Sequence, residues 1–468
     1  MTPTDPKTAP VAADAATHGI DAYRAVWRWH FYAGLLVLPF MILLAVTGGL
    51  YLYRDEIDRA WHHQLKQVDA RPGTEIEASR LIEAALAAYP GTAAKFMPPP
   101  TPTSSAEVTV KAETGQRLAV YVDPYDGRVL GSLPDRGTIM WTIRRLHSLA
   151  EFGPIANGVI EIVGGWSILL VGTGLFLWWP RRQSGGVVTI RGDARKRVFW
   201  RDLHAVTGAF TGLFIAFLAI SGMPWSVFWG KYANEWANGT NYGYPAGLYV
   251  DVPMSDGHLA HAGETSWSLQ QAQVPLSTAP AQPRAPVGID AAVATFDRLG
   301  VVRGYVVSLP SSPTGVYSAS VYPDDIDLQR VVHLDQYSGE PLLDFHYADY
   351  GPIAKAMEVG INLHLGQQFG WVNQIVLLIV CVATVLMAVS AGVMWWKRRP
   401  KGSLGVPPLP SDRSRMWGII AIMAVVGVLY PLVGASLIVM LLIDLMVTRG
   451  WRSGGGARRT RPETRPAM

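Results

Sequence analysis

The sequence predicts an α-helical integral membrane protein that carries periplasmic α+β modules. Three observations support this fold class: only 16% of the 468 residues are charged, the mean hydropathy is +0.18, and several apolar stretches are close to or longer than a membrane span. An average soluble protein has about 25% charged residues, and a helix of about 20 apolar residues crosses the hydrocarbon core of a bilayer. The composition therefore argues against an ordinary soluble enzyme and for a chain embedded in lipid.

Five apolar stretches are the candidate spans, at residues 26–53, 155–179, 203–229, 371–396 and 416–447. Clusters of Arg and Lys precede the first stretch, separate the second from the third, and follow the fourth. By the positive-inside rule these clusters are cytoplasmic, so the two long segments of mixed charge lie in the periplasm. The last stretch is long for one span and is basic on both sides. We expect a hairpin broken near Pro431, with a single long tilted helix as the alternative.

These assignments divide the whole chain. In chain order we predict a disordered cytoplasmic tail at 1–20, a first span at 21–53, a first periplasmic module at 54–146, a second span at 147–180, a cytoplasmic loop at 181–201, a third span at 202–229, a second periplasmic module at 230–363, a fourth span at 364–397, a cytoplasmic loop at 398–415, a C-terminal transmembrane hairpin at 416–448 and a disordered basic tail at 449–468. The expected location is the bacterial inner membrane, with the N-terminus in the cytoplasm.

The spans repeat within the chain. The second span aligns with the fourth without gaps at an offset of 217 residues, which places His147 on His364. The first span aligns with the third at an offset of 174, which places His30 on His204. The sequence therefore predicts a duplicated unit of span, module and span, followed by the hairpin.

Each periplasmic segment has the pattern of a small α+β module. Helical spacing covers 76–88 and 289–299, and strand-like alternation covers 107–111, 118–123, 304–309, 315–322 and 330–335. A turn follows a strand in each module, with the sequence D-P-Y-D-G at Asp123 and D-Q-Y-S-G at Asp335. The second turn lacks the proline, so its shape is left open.

Four of the 11 histidines occupy matched positions in the repeated spans. His30 and His204 are at the cytoplasmic ends, and His147 and His364 are near the periplasmic ends. Two imidazoles on neighbouring helices at one membrane depth are the ligand set of a six-coordinate haem iron. The alternative is that these histidines cap helices or reach the interface as structural residues, and a non-haem metal is disfavoured because no carboxylate shares the spacing.

Residues near these histidines extend the hypothesis. Gly34 and Gly208, one turn after the inner histidines, leave room for a macrocycle, and Arg144 and Arg145 are candidates to pair with haem propionates or an anionic substrate. A solvated helix face is the alternative for the two arginines. The only cysteine, Cys381, excludes a C-x-x-C-H attachment motif, so any haem is of the b type. No catalytic residue beyond the haem ligands is predicted, and six other histidines, His62 and His333 among them, are expected at the surface.

These motifs together resemble the PepSY-associated transmembrane family, which includes iron-regulated inner-membrane proteins and ferric-siderophore reductases. The shared features are H-x-x-x-G at His30 and His204, L-H-x-x-x-x-F-G around His147 and His364, two W-W-x-R-R endings, and the turn Y-V-D-P-Y-D-G-R-V-L-G that begins at Tyr121. The resemblance covers about residues 20–400. It implies that His30 and His204 ligate one haem b and that His147 and His364 ligate a second. It also implies that electrons from membrane quinol or a cytoplasmic reductase pass to a ferric siderophore in the periplasm.

Other functions remain as alternatives. A membrane binding or regulatory protein, whose PepSY-like modules bind peptides or inhibit a protease, would need no matched histidines. A siderophore or metal permease is disfavoured because the spans contain no evident pair of broken helices and no polar pathway. The net charge of +4 is small and scattered, which argues against a nucleic-acid partner.

Overall fold

The computed structural model describes residues 9–180, 185–238, 243, 254–258, 267–269, 272–278, 282, 284–401, 404–407 and 414–454. The helices are α1 (Ala9–Tyr51), α2 (Arg54–Trp61), α3 (His63–Lys66), α4 (Ala78–Ala88), α5 (Ile139–His147), α6 (Pro154–Trp178), α7 (Arg197–Gly222), α8 (Trp229–Asn238), α9 (Gly288–Arg298), α10 (Pro352–His364), α11 (Trp371–Arg398), α12 (Ser414–Leu429) and α13 (Pro431–Gly454). The strands are β1 (Gly91–Met97), β2 (Ala106–Ala112), β3 (Arg117–Val122), β4 (Val129–Pro134), β5 (Met254–His258), β6 (Gln273–Pro275), β7 (Val306–Ser308), β8 (Val316–Val321), β9 (Arg330–Asp335) and β10 (Pro341–His346).

Four helices in the described part of the chain are long and apolar enough to cross a membrane. They cover Ala22–Tyr51, Pro154–Trp178, Arg197–Trp225 and Trp371–Arg398, and they correspond to the first four predicted spans. Their outer surfaces are apolar, as shown by Leu213 at 78% exposure and Val382 at 62%. Such surfaces suit contact with lipid, so the chain has the features of an integral membrane protein.

These four helices form a closed bundle. α1 packs against α6 and α11, and α7 packs against the same two helices. α1 and α7 are therefore diagonally opposite, as are α6 and α11. Side chains that point inward from α1 and α7 consequently meet at the centre of the bundle.

The outer ends of α6 and α11 are not continuous with the histidine-bearing segments. α5 ends at His147, Leu149 has a φ of 55°, and α6 begins only at Pro154. In the same way α10 ends at His364, Gly366 has a φ of 77°, and α11 begins only at Trp371. The expected spans 147–180 and 364–397 are thus each interrupted close to their first residue, because left-handed residues end a right-handed helix.

The last apolar stretch folds as two helices, α12 and α13, which pack against each other. Pro431 is the first residue of α13, where a missing N–H is tolerated. The hairpin lies against α1 and α6, and the indole N–H of Trp166 donates to Ser436 Oγ over 2.9 Å. At the other end, α1 begins at Ala9, inside the segment expected as a tail, since residues 9–17 are rich in alanine, a strong helix former. Residues 1–8 and 455–468 of the expected tails lie outside the described residues.

The two expected modules share one antiparallel sheet of eight strands, in the order β10-β9-β8-β7-β1-β2-β3-β4. They join where β1 pairs with β7, with Phe96 opposite Val307. The strands of the two predicted modules thus form one continuous sheet. α4 and α9 cover one face of the sheet, and their Leu81 and Phe296 pack in its core with Val108. The alternate residues of β2, Glu107 and Thr109, are therefore on the other face. Strands β5 and β6 pair separately.

The two Asp-Gly turns have the same geometry. Asp123 Oδ1 accepts the backbone N–H two residues later over 2.9 Å, and Gly127 has a φ of 72°. Asp335 Oδ1 does the same over 2.8 Å, and Gly339 has a φ of 73°. The missing proline therefore does not change the second turn, because the aspartate and the left-handed glycine define its shape.

Candidate functional site

His30 of α1 and His204 of α7 meet at the centre of the bundle, near one end of the diagonal helices. Their ring centroids are 6.4 Å apart, and the ring planes are 79° from each other. Two imidazoles on opposite sides of one metal have centroids about 6 Å apart, if each metal–nitrogen bond is about 2 Å. The spacing of this inner pair fits axial ligands of a single iron.

His147 and His364 form the outer pair at the other end of the bundle. α5 packs on α1 and α10 packs on α7, so the last residue of each short helix is brought to the outer end of a diagonal helix. The two imidazoles are near enough to interact electrostatically. The indole of Trp225 packs edge-on against the His364 ring, with centroids 6.2 Å apart. The structure thus brings together both pairs of histidines that the sequence singled out.

Each of the four imidazoles makes a hydrogen bond through Nδ1. The partners are Thr173 Oγ1 for His30 at 2.9 Å, the Met387 carbonyl for His204 at 3.0 Å, Thr47 Oγ1 for His147 at 2.8 Å, and Ser221 Oγ for His364 at 2.9 Å. A backbone carbonyl can only accept, so the ring of His204 donates.

The three hydroxyl partners also act as acceptors, because each one donates its proton to a backbone carbonyl four residues earlier in its own helix. The distances are 2.6 Å from Thr47 to Leu43, 2.7 Å from Thr173 to Leu169 and 2.7 Å from Ser221 to Phe217. All four imidazoles are therefore held as the Nδ1–H tautomer. In that tautomer Nε2 carries the lone pair that binds a metal.

Three glycines lie directly against the imidazoles. A methyl group on Gly48 would lie 3.3 Å from His147 Cε1, one on Gly174 would lie 3.3 Å from His30 Cε1, and one on Gly222 would lie 3.4 Å from His364 Cε1. Sequence reasoning did not assign these glycines a role. The repeat contains a signal for two of them, since Gly48 and Gly222 coincide at the same offset of 174 as the inner histidines.

The two glycines that the sequence singled out have a different position. A methyl group on Gly34 would meet Leu170 of α6 at 3.9 Å, and one on Gly208 would meet Met387 of α11 at 3.3 Å. Both glycines therefore lie where a diagonal helix contacts its neighbour. The predicted role of these two glycines, to leave room for a macrocycle, stays a prediction.

Arg144 and Arg145 line a cavity of about 820 Å³ between the open face of the sheet and helices α5 and α10. We call this cavity the outer vestibule. Arg145 donates to Glu151 at 2.5 Å and to the Arg136 carbonyl at 2.9 Å, so its charge is paired and it holds the turn after α5. The guanidinium of Arg144 stacks on Trp141, 4.6 Å from the ring centroid. Of the two, Arg144 is the better candidate to meet an anion.

The outer vestibule is polar and contains charges of both signs. Its cationic residues are Arg54, Lys66, Lys95, Arg136, Arg144 and Arg145, and its acidic residues are Asp55, Asp58, Glu107, Asp135 and Glu358. Glu358 of α10 accepts hydrogen bonds from the backbone N–H and the hydroxyl of Ser268, and burial raises its pKa. Such a lining suits a polar, oxygen-rich ligand better than an apolar one.

The sequence suggested that His333 lies at the surface, but the structure buries it. It is 1% exposed between β8 and β9, and its Nδ1 is 2.8 Å from Ser318 Oγ. Burial lowers its pKa to about 4. The run of apolar residues around His333 in β9, Val331, Val332 and Leu334, could have indicated this, because a continuous apolar run is typical of a strand that is buried on both faces.

The donor groups occur in pairs. Within the part of the chain that the structure describes, no group of three or more His, Cys, Asp or Glu residues could hold a metal ion. Two opposed imidazoles are too few for a bare metal site, but they complete the coordination of an iron that already has four porphyrin nitrogens. The donor set therefore fits haem better than a free metal ion.

The chain matches a known protein family. The family model described as PepSY-associated TM region matches residues 27–398. The matched residues contain both histidine pairs, the four bundle helices from residue 27 onward, and the eight-stranded sheet, whereas α12 and α13 lie beyond them. No curated protein matches the chain.

Proposed function

The chain belongs to the PepSY-associated TM region family, and from this premise we propose that it carries electrons across the membrane through two haem b groups to reduce a periplasmic ferric siderophore. The observation that carries the proposal is the arrangement of the four matched histidines as two pairs, His30 with His204 and His147 with His364, each ring fixed through Nδ1. Structural histidines would need neither the pairing nor the common tautomer.

His30 and His204 would hold the inner haem, and His147 and His364 would hold the outer one. When bound, haem iron supplies a one-electron couple whose potential is set by its axial ligands and its burial. The chain's own contribution is to orient the rings. Diagonal helices bring the inner imidazoles together at the centre of the bundle, and the ends of α5 and α10 bring His147 and His364 to the outer end of the same helices.

The two pairs are far enough apart to connect the two sides of a bilayer. His30 and Thr47, the partner of His147, lie 17 positions apart on α1, which is about 25 Å of helix. His204 and Ser221, the partner of His364, are also 17 positions apart, on α7. This separation covers most of a hydrocarbon core of about 30 Å.

The outer vestibule is the proposed site of the acceptor. It lies beside α5 and α10, whose last residues are the outer histidines. Siderophores hold Fe(III) through hard oxygen donors, and reduction to Fe(II) weakens that hold. The polar lining, with Arg144 at its edge, would orient such a complex close to the outer pair. No acid, base or nucleophile is required, and the electron donor would be quinol or a cytoplasmic reductase.

The test is haem quantification and a reduced-minus-oxidised spectrum of the purified full chain, followed by reduction of a ferric siderophore monitored with an Fe(II) chelator. We expect b-type bands and two haems per chain. His147→Ala and His364→Ala should each retain one haem and lose ferric reduction, while His346→Ala, at an exposed side chain of the sheet, should retain both. A colourless protein from haem-replete cells would overturn the proposal and favour the peptide-binding alternative.

A further inference from the structure

Thr47 and Ser221 have the same relationship to the outer histidines. They coincide at the offset of 174 residues that also relates His30 to His204. Thr47 of α1 accepts from His147, and Ser221 of α7 accepts from His364, at 2.8 and 2.9 Å. A hydroxyl is thus retained at both positions, although one residue is threonine and the other is serine.

Each outer imidazole needs its hydroxyl as a hydrogen-bond acceptor, but the hydroxyl does not need the imidazole. Each hydroxyl donates to a carbonyl of its own helix, so its proton is satisfied without the histidine. Each buried imidazole N–H takes its acceptor from another helix, namely the Thr47 hydroxyl together with the Leu44 carbonyl for His147, and the Ser221 hydroxyl for His364. An unpaired N–H in this position would be costly. The hydroxyl therefore determines the position of the ring.

We propose that Thr47 and Ser221 are positioning residues that fix the outer imidazoles and lower the midpoint potential of the haem they bind. This inference rests on the proposed function. An Nδ1–H that donates to an oxygen makes the imidazole a stronger electron donor through Nε2, and a stronger donor stabilises Fe(III) over Fe(II). Loss of either hydroxyl should therefore shift the potential of the outer haem upward.

The inner pair differs from the outer pair in the acceptor of one imidazole, which is a backbone carbonyl. Side-chain substitutions can therefore change the potential of the outer haem more than that of the inner haem. His204 donates to the backbone carbonyl of Met387, which also accepts from Ser390 Oγ over 2.7 Å. No side-chain substitution can remove that carbonyl. Only Thr173, the partner of His30, corresponds to the outer hydroxyls. Two side chains thus tune the outer site and one tunes the inner site.

The test compares Thr47→Val, Ser221→Ala and the double variant with Thr47→Ser, which keeps the hydroxyl. Thr384→Val is the matched control, because Thr384 is a buried bundle residue whose hydroxyl makes the same bond to a carbonyl four residues earlier, over 2.8 Å. The readouts are haem per chain, the midpoint potential by optical titration and the low-spin electron paramagnetic resonance spectrum. The titration step that disappears in His147→Ala identifies the outer haem.

We expect each single loss of a hydroxyl to raise the outer potential, the double variant to raise it further, and Thr47→Ser to restore it, with the inner potential unchanged. Loss of the outer haem in Thr47→Val but not in Thr47→Ser or Thr384→Val also supports the proposal. An unchanged outer potential in the double variant with two haems bound overturns it. That result is distinct from failure of the proposed function, which would appear as a wild-type protein without haem.

Discussion

The ring of His62 accepts a hydrogen bond from the backbone N–H of Ile139 through Nε2, over 3.1 Å. Ile139 is the first residue of α5, and the last residue of α5 is His147. Asp58 accepts the next N–H, from Met140, also over 3.1 Å. Two side chains from the end of α2 thus satisfy N–H groups that have no partner within α5 itself. The position of the outer histidine His147 is therefore linked to a titratable residue, His62, that lies between α2 and α3.

Acidification should loosen α5. Burial lowers the pKa of His62 below its ordinary value of 6.5, while Asp58 opposes this shift and Lys66 reinforces it. Only the neutral ring can accept from Ile139, so this stabilisation is complete above pH 6.5 and is lost as the pH falls below that value. After correction for the intrinsic effect of pH on exchange, we expect amide protection at the start of α5 to be lower at pH 5 than at pH 7.

The control for this prediction is His62→Gln, because a glutamine oxygen accepts a hydrogen bond at either pH. The exchange rate at the start of α5 should then lose its extra pH dependence, once the intrinsic effect of pH on exchange is subtracted. Equal pH dependence in the wild type and His62→Gln would show that His62 does not control the helix.

The sheet should have its own acid transition. His333 is buried against Ser318, and burial lowers its pKa to about 4. Because the unfolded state binds a proton at higher pH than the folded state, stability is complete above pH 6.5 and falls as the pH approaches 4. The shift corresponds to about 3 kcal/mol. Hydrogen exchange of β8 and β9 between pH 7 and 4 measures it, and His346→Gln, at an exposed ring, should leave that dependence unchanged while His333→Gln removes it.

The sequence was sufficient for some features of the fold and not for others. The bundle helices and the two histidine pairs have strong local signals, namely long apolar stretches and an ungapped repeat. β1 was missed because Gly91, Ala93 and Ala94 give a weak strand pattern. Its pairing with β7 joins residues more than 200 positions apart, and no local pattern specifies such a contact. Local sequence patterns therefore could not predict that the two modules share one sheet.

In the candidate site, too, some features have a signal in the sequence and others have none. The left-handed Leu149, which separates α5 from α6, has no local signature, since leucine is not a residue that favours positive φ. The acceptors Thr47 and Ser221 could have been found from the repeat, because both carry a hydroxyl at the same offset as the inner histidines. The acceptor of His204 could not, because it is a backbone carbonyl.

Added volume at Gly48 should weaken the outer site selectively. A methyl group there would lie 3.3 Å from His147 Cε1, so the ring must shift by a few tenths of an ångström. Axial ligation tolerates little displacement. We expect Gly48→Ala to lower the haem content per chain or to broaden the outer spectrum. Gly172→Ala is the control, since a methyl group on Gly172 meets no atom within 4 Å. Equal haem content and spectra in both variants would contradict the prediction.

Arg144 should contribute to substrate affinity and Arg145 to structure. Arg144 stacks on Trp141 at the edge of the outer vestibule, whereas Arg145 is paired with Glu151. Loss of one partly exposed charge contact costs about 1 kcal/mol, or about fivefold in affinity. Arg144→Gln should therefore raise the KM for an anionic ferric complex about fivefold at low salt, with kcat unchanged and with little effect on a neutral complex. Arg145→Gln should instead lower thermal stability, because Glu151 loses its partner.

The control for the vestibule is Arg80→Gln. Arg80 is exposed on α4, which covers the opposite face of the sheet, so the same loss of net charge occurs far from the vestibule. If Arg80→Gln raises KM as much as Arg144→Gln does, the effect reflects the overall charge of the protein. If only Arg144→Gln does so, and high salt abolishes the difference from the wild type, the anion is attracted at the vestibule itself, because salt screens an exposed contact over about 8 Å at physiological ionic strength.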